Sequence, residues 1–158
     1  MSTRDDQTDA DGLPLRRVFE RMPDLHWYQD TTKPVAECFQ HANLYGYLNP
    51  LRSTPIQLVD SVALDWLYRL GEKDLRESTC FDAAATLGLI LCDDVRPNPV
   101  LKEVCRQHDI ALMRTALDPN AILDFLQANL ARLLSPRCHR HGVFLAVMNT
   151  GVMITGKS

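Results

Sequence analysis

No apolar run in this 158-residue chain approaches the roughly 20 residues that span a bilayer, so nothing in it reads as a membrane helix. Residues 1–12 are polar and acidic and lack an apolar h-region. They are expected to form a disordered tail rather than a signal peptide. Excess charge is also lacking. The formal net charge is −3, so no bulk field draws the chain to nucleic acid or anionic lipid. No C-x-x-C pair occurs among the five cysteines, Cys38, Cys80, Cys92, Cys105 and Cys138. Their odd count and wide spacing argue against a disulfide framework and fit free thiols in a reducing cytosol. There is no internal repeat, and no low-complexity segment outside the tail.

What is present suits one soluble domain. Hydrophobic residues make up 46% of the chain and charged residues 23%, an ordinary globular balance. Leu15, Val18, Phe19 and Met22 recur at helical spacing before Pro23. Residues 25–28, 43–48 and 56–59 read as short strands, and residues 30–43 as irregular. A helix follows with Asp60 or Ser61 as its cap, Leu64, Leu67 and Tyr68 on one face, and Gly71 at its end. Residues 72–84 are expected to be helical. Leu87-Gly-Leu-Ile-Leu91 is a continuous apolar run, as expected of a strand covered on both faces. Asn98-Pro99 and Asp118-Pro119 each place a cap and an N1 proline before a helix, with a strand at 110–113 between them. The second of these helices runs to about Leu134, and Ser135-Pro136 breaks it.

Strand and helix alternate from about residue 56 to 134. That order predicts an α/β fold with three layers and a largely parallel sheet. The expected organisation is a tail over 1–12, an N-terminal α/β domain over 13–134, and a linker with a β-hairpin over 135–158.

The last eighteen residues carry the most specific pattern. His141-Gly142-Val-Phe-Leu, then Gly151-Val-Met-Ile-Thr-Gly156, resembles the entry to the catalytic domain of bacterial HPr kinase/phosphorylase. In that family a His-Gly pair opens a strand, and a second strand runs into Gly-x-Ser-Gly-x-Gly-Lys-Ser. Upstream, Leu15-Arg-Arg-Val-Phe19 resembles the family's opening helix. Leu44-Tyr-Gly-Tyr-Leu-Asn-Pro50 with Ile56-Gln-Leu-Val59 resembles its Gly-x-Leu-Asn and Ile-Gln strand. Leu130-Ala-Arg-Leu-Leu-Ser-Pro-Arg137 resembles the helix before its linker.

The resemblance implies an oligomeric cytoplasmic enzyme of carbon-metabolism regulation. It phosphorylates a serine of the carrier protein HPr with ATP and Mg²⁺, and reverses this with inorganic phosphate. It also implies an N-terminal module similar to that of a cell-wall ligase, without a catalytic group of its own. His141 matches a family active-site position. Gly156, Lys157 and Ser158 match the start of the P-loop. Aligned without gaps, they cover only the first Gly-x-Ser, so Lys157 stands at the variable position. The gapped alternative makes Lys157 and Ser158 the true Lys-Ser pair with most of the loop deleted. A phosphate cradle needs several converging amides and a following helix N-terminus, which three residues do not provide. The chain alone is therefore expected to be the inactive leading part of a larger kinase, needing no cofactor itself.

Other constellations were weighed. Cys138, His139 and His141, or Cys105 and His108, lack paired-ligand spacing for zinc. Asp93-Asp94 follows a buried strand and reads as a solvated loop. Trp27, Tyr28, Tyr45, Tyr47, Trp66 and Tyr68 read as core and half-buried sheet positions, with few basic residues between them. A second expectation is a stand-alone sensor for a small ligand or a protein, with its pocket at Cys92–Asp94 or Thr115–Asp118. The apolar residues of the hairpin predict self-association or packing on a neighbouring surface.

Overall fold

The apolar run at 87–91 becomes the middle of a sheet. The computed structural model describes residues 12–35, 44–77 and 82–134, with strand residues 143–147 and 150–154. In it β4 (Gly88–Leu91) lies between β3 (Ile56–Val59) and β5 (Ala111–Thr115). β2 (Tyr45–Tyr47) extends the sheet beyond β3, and β1 (Leu25–Gln29) beyond β5, giving the order β1-β5-β4-β3-β2. Pairing is parallel from β2 through β5 and antiparallel between β1 and β5, where a bulge falls between Trp27 and Gln29. The result is a mixed five-stranded sheet, largely parallel as the strand–helix order implies.

Every residue of β3 and β4 is buried because helices cover both faces. The alternation of side chains sorts the core into two halves. Ile56, Leu58, Ile90 and Met113 face α1 (Leu15–Phe19) and α5 (Pro119–Leu134). Val59, Leu89, Leu91 and Leu112 face α2 (Ser61–Arg69), α3 (Glu72–Arg76) and α4 (Pro99–Gln107). Each such side chain stabilises the fold by about 1.5–3 kcal/mol through burial alone. Gly88 lets α1 come close: a Cβ there would stand 3.1 Å from Leu15 Cδ2 and 3.0 Å from Met113 Cε.

Local chemistry sets the helix ends. Asp60, not Ser61, caps α2, its carboxylate accepting from Ala63 N–H at 2.8 Å. Gly71 ends the segment at φ 90, a conformation open to glycine. Asn98 caps α4 by accepting from Leu101 N–H at 2.8 Å. Asp118 accepts from the Asn120 and Ala121 amides at the start of α5.

The expected helix over 72–84 is corrected. α3 stops at Arg76, residues 78–81 lie outside the described residues, and Asp82 instead turns the chain. The Asp82 side chain accepts from the Ala84 and Ala85 amides, which offers the backbone a local alternative to helix. β6 (Val143–Val147) and β7 (Thr150–Ile154) form the expected antiparallel hairpin as a separate two-stranded sheet.

Candidate functional site

Parallel α/β sheets gather loops at the carboxyl ends of their strands, where ligands tend to bind. Here part of that edge is sewn shut. Asp93 and Asp94 follow Cys92 in consecutive left-handed conformations, φ 53 and 57, which aspartate tolerates. Their amides thereby reach across to the next loop: Asp93 N–H donates to Leu117 C=O at 3.1 Å and Asp94 N–H to Thr115 C=O at 2.9 Å. Arg114 then pairs with the Asp94 carboxylate at 2.7 Å. The crevice expected at Cys92–Asp94 and Thr115–Asp118 is thus bridged by protein hydrogen bonds. Cys92 beneath it is fully buried. Burial pushes its thiol up to about 12, and the nearby Asp93, Asp60 and Asp118 charges add to the rise. A thiol so held is inert rather than nucleophilic.

The open ground lies beside β2. A cleft of about 480 Å³ runs between the end of β2 and the first turns of α2, lined by Tyr47, Leu48, Leu58, Asp60, Val62 and Trp66, among others. Three of these expose large apolar surface: Val62 at 75%, Tyr47 at 47% and Trp66 at 37%. Val62 and Trp66 stand one turn apart on α2, so they form one stripe. The reading of the six aromatics as core and half-buried sheet residues holds for Trp27, Tyr28 and Tyr45, and in burial for Tyr68. It is corrected for Tyr47 and for Trp66, which is exposed and helical. A second concavity, between α1 and β1, has both its cations engaged, Arg17 lying 3.7 Å from Glu20. Arg16 lies 4.5 Å from the Trp27 ring centroid and 2.5 Å from Asp30.

The amino ends of β4 and β5 carry a different device. Lys33 Nζ donates to the carbonyls of Ala83 at 3.0 Å, Thr86 at 3.1 Å and His108 at 2.9 Å. Sequence reading placed Lys33 only within an irregular stretch, and no local pattern marks its role. Cys105 is packed in the core and His108 ends α4. Among the described residues no group of three His, Cys, Asp or Glu is placed to hold a metal ion. No helix among them is long and apolar enough to cross a membrane.

Strands β2 to β5 of this sheet, with the sewn carboxyl loops, are carried by a stretch that matches a known family. The model for the HPr serine kinase N terminus matches residues 39–130. The chain belongs to the HPr serine kinase N-terminal family.

Relatives agree with that placement. An HPr kinase/phosphorylase from Aromatoleum aromaticum is 35% identical over 118 residues, 74% of this chain and 38% of the relative. One from Neisseria gonorrhoeae is 35% identical over 117 residues, 73% of this chain and 36% of the relative. One from Paraburkholderia phymatum is 30% identical over 129 residues, 81% of this chain and 40% of the relative. The chain thus spans about two fifths of these HPr kinase/phosphorylases. Against this family the sequence-derived site residues His141, Gly156, Lys157 and Ser158 lie outside the described residues. So do Cys38, Cys80, Cys138 and His139.

Proposed function

We propose that the chain is the N-terminal regulatory and assembly portion of an HPr serine kinase/phosphorylase. The parent enzyme phosphorylates HPr with ATP, reverses the reaction with phosphate, and works as a cytoplasmic homo-oligomer. Residues 13–134 form its N-terminal domain, and 135–158 are the linker and first hairpin of the catalytic domain. One observation carries this reading: the family match spans β2 through most of α5. The hairpin β6–β7, placed two residues before Gly156, supports it as the entry to a phosphate loop.

Gly156, Lys157 and Ser158 do not by themselves fit ATP and Mg²⁺. Three residues alone cannot supply the several converging amides that hold phosphate. No step of phosphoryl transfer is therefore assigned to this chain, and the matching position His141 acts only in the parent.

Two measurements test the proposal. Incubated with HPr and labelled ATP, the chain alone leaves HPr unlabelled; stoichiometric labelling would refute its inactivity. In the second, residues 13–134 replace the corresponding segment of the Neisseria gonorrhoeae relative. The chimera retains HPr phosphorylation and the relative's oligomeric size; a monomeric, inactive but folded chimera counts against the assembly role. The other reading, a sensor that binds a small ligand or a protein, is favoured by the Tyr47–Trp66 cleft. A thermal-shift screen against sugar phosphates and nucleotides separates the small-ligand form, since ligand at 100 times its dissociation constant stabilises by about 2.7 kcal/mol.

A further inference from the structure

Two features meet at the outer margin of the sheet. The first is the apolar cleft described above. The second is the edge of β2 itself. Ile56 N–H donates to Leu44 C=O and Leu48 N–H donates to Leu58 C=O, both at 2.9 Å. Backbone groups of successive strand residues point to opposite neighbours. The N–H and C=O groups of Tyr45 and Tyr47 therefore point away from β3. Among the described residues no strand pairs with that side. An edge that no strand among the described residues pairs with, beside an apolar cleft, is the arrangement that strand addition uses. Main-chain hydrogen bonds supply affinity, and the cleft selects a side chain.

Charge selects the occupant. Asp60 is the charged residue among those lining the cleft. Asp93 and Asp118 lie close enough to act electrostatically on Cys92 together with Asp60, so this end of the sheet collects negative charge. A second copy of the chain docking by two-fold symmetry would bring its own Asp60 toward the first, which like-charge repulsion opposes. A cationic segment gains instead. Arginine or lysine can pair with Asp60 while a neighbouring leucine or aromatic side chain covers Val62 and Trp66.

We infer that an extended segment of a partner protein, carrying an apolar side chain beside a lysine or arginine, docks on β2 by strand addition and fills the Tyr47–Trp66 cleft. This site is independent of the kinase reading, because it uses no residue of the hairpin or the phosphate loop.

The test is an NMR titration of the isotope-labelled full chain with a blocked hexapeptide of alternating leucine and lysine. A control peptide has glutamate in place of lysine. The lysine peptide shifts amides of residues 45–51 and 60–66, and slows hydrogen exchange at Tyr45 and Tyr47. Val62→Lys, at an exposed position, replaces apolar surface with a charge that repels the lysine peptide, and weakens binding at least about tenfold. Asp60→Asn keeps a good helix cap but removes the charge, and weakens binding about three- to fivefold. Spectra of both variants unchanged away from the cleft show that they fold. The inference is overturned by no shift at millimolar lysine peptide, equal binding of the glutamate peptide, or shifts outside this margin. Unprotected Tyr45 and Tyr47 amides in the bound state also overturn it. So do concentration-dependent shifts of the same amides without peptide, which assign the margin to a second copy.

Discussion

Lys33 and His108 lie 75 residues apart in the chain, yet the Lys33 ammonium donates to the His108 carbonyl at 2.9 Å. The same ammonium serves Ala83 and Thr86, so one cation ties the end of α4 to the turn before β4. The neighbouring threonines lock the lysine's own loop to the same corner. Thr31 donates to Asp109 C=O, and Asp109 accepts from the Thr32 amide and hydroxyl.

Replacing that cation strands its carbonyls. Lys33→Met keeps the apolar stem but removes three charge-assisted hydrogen bonds. The half-buried site admits some water in compensation. The variant loses about 1–3 kcal/mol of stability in urea titration. A loss below about 0.5 kcal/mol would mean that water serves these carbonyls equally well.

Gly88 tests the contact between α1 and the sheet. A Cβ at this position already presses on Leu15 and Met113, and a valine would push further. Gly88→Val destabilises by about 1–3 kcal/mol through overpacking. Leu15→Ala, combined with it, recovers part of that loss, giving a non-zero coupling in a double-mutant cycle. Purely additive effects would show that α1 does not meet the sheet at Gly88.

Asn98 joins two elements. Its side chain caps α4, and its backbone N–H donates to the Tyr68 hydroxyl of α2 at 2.8 Å. Asn98→Ala costs about 1 kcal/mol, whereas Asn98→Asp retains the cap and favours the positive helix end. Thermal unfolding of the two variants checks the order; equal melting temperatures would remove the cap from the account.

Cys92 imposes a pH dependence on stability. Its folded thiol is raised from 9.0 to about 12, so the unfolded chain releases this proton first. With fewer protons bound in the unfolded state, stability falls as pH rises. The contribution is present in full below about pH 9 and is lost as the pH climbs toward 12. Cys92→Ala lowers stability near neutral pH by about 1 kcal/mol through lost packing. It also shows a smaller decline between about pH 8 and pH 10.5 than the parent chain. Parallel declines in urea titrations would assign the alkaline loss to other groups.

The elements most legible in the sequence were those with local causes. Leu87–Leu91 announced a doubly covered strand because no polar side chain interrupts it. Asn98-Pro99 and Asp118-Pro119 announced helix starts because the cap and the proline act within three residues. The family was legible chiefly in the terminal pattern from His141 to Gly156, with Ile56-Gln-Leu-Val59 a weaker match upstream. Where a local rule competed with another, sequence reading failed: the Asp82 side chain accepts from the Ala84 and Ala85 amides, and residues 83–85 form a turn where a helix was drawn.

The carboxyl crevice shows the other kind of failure. Asp93 and Asp94 carry no mark of reaching Leu117 and Thr115, because that requires β4 and β5 to be aligned first. Tyr47 and Trp66 look like any other core aromatics until β2 is set at the margin of the sheet, where both side chains stay exposed. Periodicity and capping act between neighbours along the chain, so residue order alone determined the kinds of elements and their sequence. Strand order, the Lys33 tie and the open Tyr47–Trp66 margin join residues tens of positions apart. They were decided only by tertiary structure, since burial and long-range hydrogen bonds exist only once the sheet is built.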